Sequence, residues 1–172
     1  MRRGTRDETF WDFSLRTYGA EGVPAACLAL QDELGADVNL VLYCCWAGGR
    51  AAPLDDDAFA QALAFSRQWA NGVVQPLRAA RRWMKQAGCA SQPMDPMACM
   101  ALRERIKAVE LQAEKLQQLA LASLPLPPDR DEGLTAVAAN LVRYCAAIDA
   151  GMGAATRERL LGADLPSTVL DI

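Results

Sequence analysis

Histidine is absent from the sequence of 172 residues. It is the commonest general base near neutral pH and a frequent ligand of zinc and haem iron. Its absence therefore excludes catalytic sets built on a histidine and metal sites with histidine ligands. The sequence also lacks a glycine-rich phosphate loop, a nucleophile elbow and a dinucleotide-binding fingerprint. An enzyme is thus the less favoured interpretation, and we expect no catalytic residues, no metal ion and no cofactor.

Cysteine pairs with the C-x-x-C spacing of a metal or redox motif are also absent. The six cysteines are Cys27, Cys44, Cys45, Cys89, Cys99 and Cys145. The adjacent pair Cys44 and Cys45 has poor geometry for holding one metal ion. Most of the six stand at apolar positions of predicted helices, where a free cysteine behaves as a small hydrophobic residue. Cys89, in a predicted loop, is the strongest candidate for a reactive thiol.

A strong excess of charge of either sign is missing as well. The chain has 18 Lys and Arg residues against 21 Asp and Glu residues, a net charge of −3. So mild a charge creates no field that favours nucleic acid over other partners. No apolar run approaches the roughly 20 residues of a membrane-spanning helix. Residues 1–8 are charged and no apolar stretch follows them, so we predict no signal peptide and a cytoplasmic location.

The most apolar part of the chain is the stretch 35–49. Its apolar residues fall on every side of a helical wheel, and they are Val38, Leu40, Val41, Leu42, Tyr43, Cys44, Cys45 and Trp46. Such a segment must be surrounded by other elements. Asp37 suits the N-cap of a helix, and Gly48 with Gly49 suits a left-handed C-terminal residue, although periodicity alone also permits a buried strand. Asn39 inside this run needs a hydrogen bond, either as a structural anchor or as part of a site.

The remaining periodic segments predict an all-α bundle of about six or seven helices around this central one. We predict the other helices over residues 10–18, 23–35, 58–86, 96–123, 134–148 and 154–161. Pro76 lies inside the longest of the early helices and predicts a kink there. We expect one domain over residues 1–172, with residues 1–8 mobile. The apolar tail 165–172 either docks on its own core or is offered to a partner.

Three segments of the amino-terminal third resemble a known family. They are FWDFSL at residues 10–15, ACLALQD at residues 26–32 and GADVNL at residues 35–40. The chain resembles, on these segments, a bacterial family catalogued as domain of unknown function 2390, and the likeness continues more loosely through residues 73–78. The resemblance brings no activity with it. It implies that six polar or aromatic residues occupy motif positions of the family: Trp11, Asp12, Gln31, Asp32, Asp37 and Asn39.

A row of cations follows Pro76 at helical spacing. Arg78, Arg81, Arg82 and Lys85 stand three and four residues apart and share one face of the predicted helix. This face is either solvated and paired with acidic neighbours or a docking strip for an acidic partner, RNA or anionic lipid. No aromatic residues are interleaved for base stacking, so nucleic acid is the weakest of these partners.

A heptad-like seam runs along the predicted helix 96–123. Its residues step by four and three, and they are Leu102, Ile106, Val109, Ala113, Leu116 and Ala120. Three heptads suit an antiparallel hairpin against the helix 58–86, and they equally suit a homodimer.

Two functions of different classes remain open. The leading hypothesis is a non-catalytic adaptor or regulatory protein that docks another protein through a helical face. The alternative is a small-molecule binder or carboxylate-dependent enzyme whose site is formed by the six motif residues, with Asp12, Asp32 and Asp37 meeting near Asn39. RNA association through the basic row is a further alternative. A binding site requires an open pocket at Asn39, whereas an adaptor should fill that space with side chains.

Overall fold

The computed structural model describes residues 8–88, 95–128 and 133–149, and these residues form an all-α bundle. The α-helices are α1 Phe10–Tyr18, α2 Val23–Leu34, α3 Val38–Gly48, α4 Asp56–Trp69, α5 Gln75–Trp83, α6 Pro96–Ala122 and α7 Gly133–Asp149. Two π-helical segments, Ala70–Val74 and Met84–Gly88, follow α4 and α5. The predicted fold class is confirmed.

The central helix is α3, as the apolar stretch predicts. Tyr43, Cys44 and Cys45 are fully buried, and the core of the described residues gathers around them. The Oδ1 atom of Asp37 accepts a hydrogen bond of 3.0 Å from the backbone N–H of Asn39, which caps the helix. The helix alternative is therefore correct for this stretch, and the strand alternative is wrong.

The carboxyl end of α3 differs from the expectation. Gly49 has a φ of −72°, in the right-handed region, so the predicted left-handed residue is absent at this helix end. Gly48 is needed for a different reason. A Cβ atom at Gly48 would lie 2.6 Å from the backbone nitrogen of Val137 in α7. The missing side chain therefore allows α3 and α7 to approach each other closely.

The predicted helix 58–86 is a continuous helical run from α4 through α5 to the second π-helical segment. Its irregularity lies in the turn before Pro76. The segment Ala70–Val74 widens the helix there, and the N–H of Gln75 donates to the carbonyl of Ala70. Pro76 follows as the second residue of α5, and because it has no N–H to donate, the regular hydrogen-bond pattern is interrupted next to the widened turn.

The packed face of α6 is rotated relative to the predicted seam. Ala113 is buried, but Leu102, Val109 and Leu116 are 51%, 47% and 56% exposed. The buried residues of α6 are Cys99, Glu110, Ala113, Gln117, Gln118 and Leu121. The predicted seam as a whole therefore does not pack against the other helices, because polar side chains occupy much of the face of α6 that packs inward.

The last described helix, α7, buries Val137, Leu141 and Tyr144, whereas Leu134 is exposed. Predictions about residues 1–7, Cys89, the helix 154–161 and the tail 165–172 lie outside the described residues. Within the described ranges, no helix combines the length and the apolar character that crossing a membrane requires. The cytoplasmic location stays a prediction.

Candidate functional site

A cavity of about 210 Å³ borders the amino-terminal end of α3, with walls from α1, α2, α5, α6 and the segment Ala70–Val74. Four of the six predicted site residues line it: Trp11, Gln31, Asp37 and Asn39. Most of the remaining wall is apolar, with Leu28, Leu42 and Val74 among its members. An apolar cavity with a few polar groups is the usual form of a small-molecule site.

The other two predicted site residues lie elsewhere. Asp12 belongs to the amino-terminal cap of α1, where its backbone N–H donates to the Oγ1 atom of Thr9. Asp32 is exposed and lies 3.8 Å from a guanidinium nitrogen of Arg82. The three aspartates therefore do not meet near Asn39, and only Asp37 lines the cavity. Each of the other two carboxylates interacts with a local partner.

A second, more open hollow of about 490 Å³ adjoins the first. The two share six lining residues: Tyr18, Leu28, Gln31, Arg78, Leu111 and Glu114. We call the first the inner cavity and the second the outer hollow. The outer hollow is also lined by charged residues of α5 and α6: Arg81, Glu104, Lys107 and Glu110.

A chain of buried side chains connects the end of α3 to α6. Gln117, which is 0% exposed, donates from Nε2 to the Oδ2 atom of Asp37 at 2.5 Å and to the Oγ atom of Ser66 at 2.9 Å. Ser66 donates its own hydroxyl proton to the same Asp37 oxygen. Tyr144 of α7 accepts a bond of 2.8 Å from the backbone N–H of Asp37. Asp37 is therefore held from three helices.

The chain continues through Asn39 to the inner cavity. The Nδ2 atom of Asn39 donates to Oε1 of Gln117 at 2.8 Å, and its Oδ1 accepts from Nε2 of Gln118 at 2.8 Å. We call Asp37, Gln117, Asn39 and Gln118 the amide relay. Asn39 is hydrogen-bonded to α6 and also lines the cavity, so a structural role and a place in a site are compatible for this residue.

Two buried polar atoms in residues of the cavity wall have no hydrogen-bond partner among the described residues. They are Oε1 of Gln118 and Oγ of Ser14. Both residues are 4% exposed. A buried polar atom without a partner costs about 1–3 kcal/mol, and each of these two atoms has less than 1 Å² of accessible surface, so neither faces the open space of the cavity.

Arg78 connects the inner cavity to a cluster of charges on α6. Its guanidinium donates to Glu114 at 2.6 Å, to Glu110 at 3.1 Å and to the side-chain oxygen of Gln31. Arg81 adds a two-pronged contact with Glu110. Three of the four cations in the predicted docking row thus form ion pairs within the molecule: Arg78 and Arg81 with glutamates of α6, and the exposed Arg82 with Asp32. Lys85 is exposed.

The pKa values of the two glutamates in this cluster are shifted in opposite directions. Burial works to raise the pKa of Glu110, but hydrogen bonds and positive charge from Arg81 and Arg78 outweigh it, so the pKa lies below its ordinary value. Burial raises the pKa of Glu114 above its ordinary value, because Arg78 compensates only in part. Glu114 lines both cavities, and of these two glutamates it is the one with the raised pKa.

The inner cavity does not favour a reactive thiol. Cys27 lines the cavity, and burial raises its pKa to about 11, so the thiolate nucleophile is scarce at neutral pH. Burial raises the pKa of Cys45 to about 12. Cys99 is disulfide-bonded. In residues 8–88, 95–128 and 133–149, no group of three or more cysteine or carboxylate side chains is arranged to hold a metal ion.

The pattern of the sequence pointed to Asn39 but not to its partners. Gln117 and Gln118 follow the seam residue Leu116 and resemble ordinary polar residues of an exposed helix face. Ser66 and Ser14 carry no motif either. The one available signal was the need of Asn39 for a partner, and that need does not say where in the chain the partner lies.

Comparison with known proteins places the chain in a family without assigning an activity. No curated protein and no solved structure matches it. A family model described as "Protein of unknown function (DUF2390)" matches residues 9–121, which is more than half of the chain and includes the inner cavity's lining residues from Trp11 to Gln118. The resemblance seen in the amino-terminal segments is confirmed, and the chain belongs to the DUF2390 family.

Proposed function

We propose that the protein binds a small organic molecule in the inner cavity. The observation that carries this proposal is a largely apolar cavity of about 210 Å³ beside the amino-terminal end of α3, with the polar side chains of Asp37 and Asn39 in its wall. Enclosed apolar cavities of about 150 Å³ bind benzene, so the volume suits a molecule of one or two rings. Such a molecule would replace water or empty space along a largely preformed wall.

This proposal puts small-molecule binding first, whereas the sequence favoured an adaptor. An adaptor was expected to fill the space at Asn39 with side chains, but Asn39 lines an open cavity. The basic row gives an acidic partner or RNA weaker support, because Arg78 and Arg81 are already paired with glutamates of α6. Binding is proposed without a reaction, since the cavity's thiol is held protonated by burial and its carboxylates are engaged by neighbouring donors.

A fragment screen by ligand-observed NMR tests the proposal. The matched control is Ala70→Phe, because Ala70 is a buried lining residue and a phenyl group there would occupy part of the inner cavity. We expect fragments of one or two rings to bind the wild-type protein and to lose at least tenfold in affinity for the filled variant. Fragments that bind both proteins equally, or no binding fragment at all, would count against the inner cavity as a ligand site.

A second candidate function is self-association through α6. Leu102, Val109 and Leu116 are half exposed and recur every seven residues, which is the spacing of a coiled-coil seam. Two copies of α6 could bury this stripe against each other as a homodimer. Light scattering after gel filtration tests it: the wild type should have twice the monomer mass and Val109→Glu the monomer mass, with equal helical circular dichroism. A wild-type monomer at high protein concentration contradicts the homodimer.

A further inference from the structure

The inner cavity and the outer hollow meet along a wall that is partly apolar. Its apolar members are Tyr18, Leu28 and Leu111, from α1, α2 and α6, and each of them lines both spaces. They are 42%, 51% and 54% exposed. A single exposed leucine is ordinary, but three large apolar side chains that meet from three helices form a surface that a bound molecule can cover.

The two spaces differ in polarity. Most of the described residues that line only the inner cavity are apolar, and Asp37 is the one charged side chain among them. Five described residues line only the outer hollow, and four of these are charged: Arg81, Glu104, Lys107 and Glu110. A molecule that occupies both spaces would therefore place an apolar part in the inner cavity and a polar part in the outer hollow.

The polar members of the shared wall are bonded to one another. Arg78 donates to Glu114 at 2.6 Å and to the side-chain oxygen of Gln31. A charged group placed beside them would compete with an existing ion pair. An apolar link that runs along Leu28 and Leu111 would leave this pair intact.

The charges around the outer hollow balance. Among the described residues, three cations and three carboxylates line it: Arg78, Arg81, Lys107, Glu104, Glu110 and Glu114. Glu104 and Lys107 are the most open of them, since their side chains are 58% and 65% exposed and 3.9 Å apart. Together they offer an acceptor and a donor to a polar group, whereas a single charge would be attracted by one of them and repelled by the other.

We propose that the inner cavity and the outer hollow form one elongated site for an amphipathic molecule of no net charge, with an apolar ring in the inner cavity and a polar head in the outer hollow. This inference rests on the proposed function, since it extends the ligand of the inner cavity by a link and a head. The link covers the apolar side chains of Tyr18, Leu28 and Leu111, and the head lies beside Glu104 and Lys107.

Phenylethanol and phenylhexanol test the inference because they share a phenyl ring and a hydroxyl head and differ in the length of the chain between them. We expect the short alcohol to stay within the inner cavity and the long one to reach the outer hollow. Dissociation constants are measured by NMR titration of the wild type and of two variants that each fill one space. Ala70→Phe fills part of the inner cavity, and Ala108→Trp places an indole ring in the outer hollow, which Ala108 lines from an exposed position on α6.

The two variants should affect the two alcohols differently. Ala70→Phe should weaken both by at least about tenfold, because both place their ring in the inner cavity. Ala108→Trp should weaken phenylhexanol by at least about fivefold and phenylethanol by less than about twofold, because only the long alcohol has atoms in the space that the indole ring occupies. Circular dichroism of each variant shows that it retains the helical content of the wild type before its titration is interpreted.

The charge of the head is tested with two analogues that keep the ring and chain of phenylhexanol and carry an ammonium or a carboxylate group in place of the hydroxyl. Because the charges around the outer hollow balance, we expect neither analogue to bind the wild type more tightly than phenylhexanol. Tighter binding of either analogue overturns the assignment of a head without net charge.

The results distinguish this inference from the proposed function. If phenylhexanol binds Ala108→Trp as tightly as the wild type, or more tightly, the outer hollow is not part of the site. The inner cavity then stays a ligand site as long as both alcohols lose affinity for Ala70→Phe. If neither alcohol binds the wild type, the inference is wrong, and the fragment screen with Ala70→Phe decides separately whether the inner cavity binds other small molecules.

Discussion

The helix α3 has a closed side and an open side. On the closed side, a methyl group at Gly48 would lie 2.6 Å from the backbone of α7. On the open side, Val38, Asn39 and Leu42 of the same helix line a cavity of about 210 Å³. A bundle that is loosely packed throughout would not bring two backbones this close. The cavity is therefore a local feature of the open side, where buried polar groups from α6 occupy the wall.

The closed side should tolerate the least change. Gly48→Ala adds one carbon where the nearest backbone atoms of Val137 leave no room, and we expect a loss of about 3 kcal/mol in the free energy of unfolding. Urea denaturation measures it. The matched control is Gly72→Ala, because a Cβ atom there meets nothing within 4 Å, and this variant should gain about 0.5–1 kcal/mol. Similar effects of both substitutions would remove the contrast between the two sides.

The amide relay is the next largest contribution, and it stands on the open side. Gln117→Met removes the hub, and Asp37, Asn39 and Ser66 each lose one hydrogen bond, so we expect a loss of about 2 kcal/mol. Gln118→Met removes only the end of the relay and an already unpartnered oxygen, and should cost less than about 1 kcal/mol. The same urea curves measure both. A larger loss for Gln118→Met than for Gln117→Met would show that the hub is misassigned.

Asn39 joins the open side of α3 to α6. Asn39→Ala removes the acceptor for Gln118 and the donor to Gln117, and should lower the free energy of unfolding by more than about 1 kcal/mol. Chemical denaturation with fluorescence detection of the tryptophans measures the change. A loss below a few tenths of a kcal/mol would contradict its role as a structural anchor.

The central place of α3 was predictable, because it rests on apolar periodicity and a local cap. Its close approach to α7 at Gly48 was not, since the sequence predicted a left-handed residue at this helix end. A helix that is apolar all round must be central, and Asp37 at its start carries the N-cap signal. The open side was predictable only in part. Gln117 pairs with Asn39 across 78 residues of sequence, and hydrophobic spacing contains no information about such a long-range polar contact.

The buried face of α6 shows the same limit of sequence patterns, because here hydrophobic spacing predicts the wrong face. The heptad positions Leu102, Val109 and Leu116 predict the inward face, since burying leucine and valine is normally favourable. The molecule instead buries Glu110, Gln117 and Gln118 on that helix. Each of these has partners on α3 or α5, and their combined satisfaction outweighs the local hydrophobic preference. A prediction from one helix alone cannot weigh partners on other helices.

Glu110 and Glu114, at the charged edge of the open side, should contribute small pH-dependent terms of opposite sign to the free energy of unfolding. The lowered pKa of Glu110 means that its stabilisation is present above an unfolded-state pKa of about 4.3 and is lost as the pH falls through the folded-state pKa. The raised pKa of Glu114 means that folding retains its proton, so its contribution worsens as the pH rises above that same ordinary value.

Urea midpoints between pH 3 and 7 for Glu110→Gln and Glu114→Gln measure both contributions. The cost of Glu110→Gln should shrink towards acid pH, and Glu114→Gln should become relatively more stable towards neutral pH, each by less than about 1 kcal/mol. Parallel pH profiles for the two variants would contradict the opposite pKa shifts.

A large side chain added on the open side should cost less stability than a small one added on the closed side. Ala70→Phe adds a whole ring at a buried residue that lines the inner cavity, and Gly48→Ala adds a single methyl group. Because filling an existing apolar space recovers buried area without forcing a backbone to move, we expect Ala70→Phe to change the free energy of unfolding by less than about 1 kcal/mol. If the larger addition costs as much as the smaller one, the space beside Asn39 is not available to a side chain, and a ligand of one or two rings would not fit there either.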